Sequence, residues 1–348
     1  MNRRSLLSTI AAQPPVGLKL GLDTYVVRPF GWKAFELLDY AARVRLDAIQ
    51  LGSSDLESQD PAYLKKVREH AERLGISIDA AIGGVCPTSS MWVPSNGDPT
   101  TYLLLGLRQA HALGSTNLHV YLGGGSERTG PIPLERHIEE TVKSLRSVRS
   151  QSMDLNVKIA VENHGDLQAW EMKTLVEEAG KEFVGVCLDS GNSVAVIEDP
   201  MLTLEMLGPY VLTTHIRDSV VYEVPSGIAY QWVALGDGSI DFQTFFRRYR
   251  ELCPQASVQL EILTGSPPRL LPYTEPGFWK AYPKARAHEF ARFVALAKKG
   301  HPFMGSMLIA PRGNTSPAYA AAVREQRRVD VERSFDHASN VLGIGLHR

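Results

Sequence analysis

Short apolar runs recur along this chain, with helix-patterned stretches between them. The clearest are VKIAVE (157–162), FVGVCLD (183–189), YVLTTH (210–215) and ASVQLE (256–261). Each is aliphatic or β-branched at most positions rather than at alternate ones, which is how strands buried on both faces of a parallel sheet read. Between them lie LQAWEMKTLVEEAGKE, DPMLTLEMLG and IDFQTFFRRYRELC, whose apolar residues fall at helical spacing. The same alternation upstream predicts strands over 16–25, 46–52, 76–84 and 116–124. It predicts helices over 32–44, 61–75, 100–114 and 133–153, the second ending at Gly75 as helices commonly do. Counted through, the strands number eight, and an unbroken β/α alternation of that length predicts a closed parallel barrel. An open doubly wound sheet is the alternative. Against it, the GGG at 123–125 lacks GxGxxG spacing and no GxxxxGK[ST] occurs.

Two stretches exceed the minimal unit. RDSVVYEVPSGIAYQWVALGDGS (217–239) is long enough to cover a rim or form a hairpin, and the segment after Glu261 is dense in proline and aromatic residues. Helices are expected near 284–300 and 317–335. The resulting division is a loose N-terminus (1–15), a catalytic barrel (16–300) and a C-terminal helical extension (301–348) packed on the barrel or on a second subunit, so a homo-oligomer is a possible assembly.

Composition narrows the function. At 348 residues one barrel of about 250 residues plus extensions accounts for the chain. A net charge of −1 gives no general attraction to nucleic acid. Cys86, Cys187 and Cys253 form no CxxC pair and leave one thiol over in any disulfide scheme, which fits a reducing, cytoplasmic compartment. Arg3 and Arg4 precede an apolar stretch, as in a twin-arginine export signal, but Ser8 and Thr9 interrupt it and the first strand follows closely. No segment approaches the roughly 20 apolar residues of a membrane span.

The candidate chemistry lies in how the last four strands end. Glu162, Asp189, His215 and Glu261 each close one of the apolar runs. Carboxyl ends of parallel barrel strands face one rim, so the four groups are expected to converge. A lone Glu after a strand is ordinarily a solvated or capping residue, and a lone His a structural one; four in phase are not. Three carboxylates and an imidazole suit one divalent ion, Mn²⁺ or else Mg²⁺, Co²⁺ or Zn²⁺. Such an ion acidifies the proton beside a ketone by stabilising an enediolate.

The ordered set VENHGD (161–166), VGVCLDSGN (184–192), THIRD (214–218), LGDGSIDF (235–242) and LEI (260–262) resembles the xylose isomerase-like TIM barrel superfamily, in particular the sugar phosphate isomerase/epimerase branch with its ketose 3-epimerases and inosose isomerases and dehydratases. The resemblance spans about Val16 to Leu263. It implies Glu162, Asp189, His215 and Glu261 as ligands of one divalent ion, and Glu162 and Glu261 as the acid/base pair on opposite faces of a carbohydrate substrate. It implies Arg217 as a substrate contact; His164, His119, Gln50, Asn192 and Trp92 are further candidates to touch substrate. Asn192 stands where ketose 3-epimerases often carry His, which loosens the match to that substrate. The implied activity is isomerisation or epimerisation of a sugar, keto-sugar or cyclitol. The alternative is a lyase, either a dehydratase or an enzyme cleaving 3-keto-glycosides. No Lys/Arg cluster or glycine-rich helix start marks a phosphate site, so an uncharged sugar is expected.

Overall fold

The computed structural model describes residues 17–310, 313 and 315–346. The loose N-terminus expected over 1–15 lies outside them. Seven parallel strands follow the expected order: β1 (Leu20–Asp23), β2 (Ala48–Gly52), β3 (Ser77–Gly84), β4 (Asn117–Tyr121), β5 (Lys158–Glu162), β6 (Val184–Asp189) and β7 (Val211–His215). The hairpin strands β8 (Asp218–Val224) and β9 (Gly227–Val233) come next, then the last barrel strand, β10 (Val258–Leu260). The barrel order is β10-β1-β2-β3-β4-β5-β6-β7. Closure between β7 and β10 runs through Ile216, whose N–H donates to the Gln259 carbonyl at 2.8 Å and whose carbonyl accepts from the Glu261 N–H at 2.9 Å.

The crossover helices are α1 (Ala34–Arg43), α2 (Pro61–Leu74), α3 (Pro99–Leu113), α4 (Leu134–Arg146), α5 (Arg149–Asp154), α6 (Ala169–Ala179), α7 (Ser190–Ala195), α8 (Pro200–Leu207) and α9 (Phe242–Leu252). Several begin where an aspartate accepts backbone N–H groups: Asp60 before α2, Asp98 before α3, Asp199 before α8 and Asp241 before α9. Gly75 ends α2 with φ 71°, a left-handed conformation that favours glycine. Two expectations were too coarse. The helix foreseen over 133–153 is two, α4 and α5, and a short helix, α7, starts directly after Asp189, whose carboxylate caps it.

Side chains inside the barrel are layered, and one layer is polar. Asp79 accepts from Asn117 (2.9 Å), Thr213 (2.8 Å) and Gln259 (2.8 Å), so a fully used carboxylate sits in the barrel interior. Gly21 makes room for the Gln259 amide, since a Cβ there would lie 2.1 Å from Gln259 Oε1.

After the barrel come a short strand, β11 (Arg269–Leu271), and helices α10 (Ala287–Lys299) and α11 (Pro317–Asn340). β11 adds antiparallel to β9, giving the three-stranded sheet β11-β9-β8 beside the barrel mouth. Phe293 and Ala297 of α10 pack against Val221, Ile228 and Leu271 of that sheet. α11 instead occupies the gap between α1 and α9 in the outer ring. Tyr40 of α1 donates to Glu332, Gln243 and Arg250 of α9 donate to carbonyls just beyond α11, and Val331, Phe335 and Ala338 join the main core.

Candidate metal and substrate site

Glu162, Asp189 and His215 are the final residues of β5, β6 and β7, and Glu261 follows β10 immediately. In-register pairing sets Asp189 beside His215. One ligand atom from each of the four lies within 4.8 Å of the others, and all four side chains are buried. His215 Nδ1 faces Glu162 Oε1 at 3.4 Å and Glu261 Oε2 at 3.7 Å yet has no hydrogen-bond partner. An unpartnered imidazole nitrogen among three buried carboxylates is a fit for a divalent cation.

The residues around this cluster hold it in place. Asn192 Nδ2 donates to both Glu162 (3.1 Å) and Asp189 (2.6 Å). His119 Nε2 meets Glu162 Oε2 at 2.8 Å, and the Gln50 amide meets His215 Nε2 at 2.6 Å. Gln50 Oε1 has no partner as placed; with the amide turned over it accepts Nε2–H and leaves the Nδ1 lone pair aimed at the carboxylates. Arg217 is 2% exposed and pairs with Asp189 and Glu261. Gly191 permits this, because a Cβ there would lie 2.2 Å from Arg217 Cγ. Asp218, its sequence neighbour, turns away and accepts from Gly236 and Gly238 at 3.0 Å, tying down the GDG turn.

The carboxyls respond unequally to burial. Burial pushes Glu261 up to about 8 in spite of Arg217 and His215, and raises Asp189 as well. Glu162 feels the same burial, but His164, His215 and His119 outweigh it and hold the carboxyl well below its usual range. Burial opposes protonation of His215, yet the surrounding negative charge lifts it well above an ordinary histidine. Cys187 lies close enough to His119 and His215 to form a second set, but burial pushes its thiol up to about 12, which disfavours thiolate ligation.

Glu162, His215 and Glu261 form the floor of a cavity of about 920 Å³ that Arg217, Asn192, His119, Gln50 and His164 from the sequence reading also line, whereas Asp189 is fully buried and outside the lining. His164 stacks on Tyr121 with ring centroids 4.7 Å apart and bonds the Gly123 carbonyl. Trp92 is not among the lining residues. It packs edge-on against Tyr102, and Met91 faces the cavity instead. Sequence reasoning missed Asp23, Tyr25, Arg28 and Arg269 in the lining. Asp23 ends β1 as the ligand candidates end their strands, a signal that was available; Arg28 and Arg269 carried none.

A closed eight-stranded parallel barrel with a buried carboxylate and imidazole cluster at its carboxyl rim is the architecture of barrel enzymes that act at strand ends. The family model described as xylose isomerase-like TIM barrel matches residues 27–281, and the chain belongs to that family. A 3-oxo-isoapionate decarboxylase from Pectobacterium atrosepticum is 24% identical over 238 residues, covering 68% of this chain and 74% of the relative. Among solved structures, a D-psicose 3-epimerase crystallised in the presence of D-fructose superposes with a TM-score of 0.61 at 15% identity, covering 94% of this chain and 100% of that one. The IOLI protein with a bound zinc atom gives 0.55 at 16% identity, covering 82% of this chain and 100% of that one. No described helix is long and apolar enough to cross a membrane.

Proposed function

We propose that the protein is a divalent-metal-dependent isomerase or epimerase of a keto-sugar or cyclitol, working by proton transfer. The observation that carries this reading is the convergence of Glu162, Asp189, His215 and Glu261, all buried, with Glu162, His215 and Glu261 reaching the floor of a cavity ample for a sugar. These four would hold the ion, with manganese the expected metal; when bound, it would lower the pKa of the proton beside a ketone and stabilise the charge left behind. Glu162 and Glu261 stand at the two ends of the arc β5-β6-β7-β10, so a substrate lying over the floor has one carboxylate toward each end. One removes the proton and the other returns it. Asn192 and His119 fix Glu162, and Arg217 fixes Glu261. The epimerase neighbours support this reading, and the decarboxylase supports a lyase variant in which loss of CO₂, in place of a proton, leaves the same enolate charge.

The test is elemental analysis of purified protein, with Glu162→Gln, Asp189→Asn, His215→Gln and Glu261→Gln alongside, followed by NMR of ketoses in deuterated water. The expected result is about one divalent ion per chain, lost in the variants, with deuterium entering next to the carbonyl and mass otherwise conserved. Metal-free protein that stays empty after reconstitution would overturn the reading; product lighter by water or CO₂ would move it to the lyase.

A further inference from the structure

Three arginines line the cavity, and only one is neutralised. Arg217, on the floor, is consumed by Asp189 and Glu261. Arg269 and Arg28, both exposed at the mouth, have no carboxylate partner among the described residues, and no lysine is in the lining.

Arg269 is positioned rather than loose. Antiparallel pairing of β11 with β9 sets it directly opposite Tyr230, and cross-strand partners share a face, so its side chain lies on the face that carries Tyr230 and Trp232. Its guanidinium carbon is 4.1 Å from the Trp232 ring centroid, and Nη1 donates to the Tyr230 hydroxyl at 3.5 Å. The same indole takes Arg217 at 4.3 Å. A continuous wall therefore climbs from Glu261 through Arg217 and Trp232 to Arg269, with one indole separating the floor cation from the mouth cation. Stacking occupies the face of a guanidinium and leaves its N–H edge for a planar anion. Arg28, 3.4 Å over the Tyr25 ring and bonded to the Tyr25 carbonyl at 2.9 Å, adds positive field without being aimed at one point.

We propose that the substrate is a sugar acid: a keto-sugar whose carboxylate is held by Arg269 on the Tyr230–Trp232 shelf while its carbonyl end lies on the carboxylate and imidazole floor. The carbonyl end rests on the function proposed above; the anion end does not. A carboxylate is favoured over a phosphate because the cation is a single stacked planar fork, without lysine. This departs from the uncharged sugar expected from sequence, where residues 28, 217 and 269 are too far apart to read as a cluster.

D-Fructose, D-fructuronate and D-fructose 6-phosphate share a carbonyl end and differ at the far carbon, and the tagatose series repeats the comparison. With Mn²⁺-loaded protein, thermal shift titration reads binding and deuterium incorporation reads proton transfer. The expected result is a uronate bound about tenfold or more tighter than its ketose, a preference abolished by Arg269→Gln and partly kept by Arg269→Lys, with ligand-free Tm unchanged in both. Ketose or phosphate bound as tightly as the uronate, a preference that survives Arg269→Gln, or no binding in either series would overturn it. Uronate preference without deuterium exchange leaves the anion site standing and removes the proton-transfer function; exchange on the ketose without a preference does the reverse.

Discussion

The orientation of a single imidazole controls the site. His215 presents Nδ1 to the carboxylates only if its other nitrogen is occupied, and the Gln50 amide at 2.6 Å is what occupies it. Gln50→Leu keeps the volume and removes that bond, so the ring loses its fixed tautomer and rotamer. Mn²⁺ affinity is expected to fall about 10- to 100-fold, measured by chelator competition, with little change in Tm. A buried carboxyl outside the cluster carries a pH dependence of its own. Glu198 accepts from the Ala169 N–H with both oxygens (3.0 and 2.9 Å) and lies near Glu289 and Glu171. Burial pushes it up to about 8. Its folded pKa is therefore above the unfolded value, so its contribution to stability is complete below the ordinary carboxylate range and is lost as pH rises toward 8. Glu198→Gln, which keeps an acceptor for Ala169, should raise stability at pH 9 and flatten the pH dependence between about 5 and 8 in urea titrations. An unchanged slope would show that the carboxyl is not buried in this way.

At the scale of elements, the added sheet β11-β9-β8 turns a generic barrel rim into a shaped wall. Its attachment depends on the turn after β9, where Asp218 gathers the N–H groups of Gly236 and Gly238. A Cβ at Gly238 would lie 1.9 Å from Asp218 Oδ1, so Gly238→Ala must expel the carboxylate or shift the turn. A loss of about 2–4 kcal/mol is expected by denaturant unfolding, with protease nicking in the hairpin before the barrel. β6 and α7 are coupled as tightly: the Asp189 carboxylate caps the helix through Gly191 and Asn192 while its other contacts serve the cluster. A carboxylate that also caps a helix cannot swing away without uncapping it, which keeps the cluster rigid.

At the scale of the whole molecule, α11 is part of the barrel's closure. Phe335 is 4% exposed in the same core as β1 and β10, and Leu342 and Ile344 follow it into that core. Phe335→Ala should cost about 3–5 kcal/mol in chemical denaturation, and the loss should be seen in the main unfolding transition because a shared core unfolds together. The strand order, the metal candidates and most of the cavity floor were legible in the sequence. Parallel strands buried on both faces leave continuous apolar runs, and barrel topology sends the residue ending each run to one rim. What the sequence could not determine is what happens between elements distant in the chain. Whether Arg217 faces substrate or locks the carboxylates depends on space above Gly191; whether Trp232 rather than Trp92 forms the wall depends on how a hairpin docks; whether Arg269 and Arg28 share a cavity depends on the barrel closing. Periodicity encodes which face a residue takes within its own element. Three-dimensional packing alone decides which other face it meets.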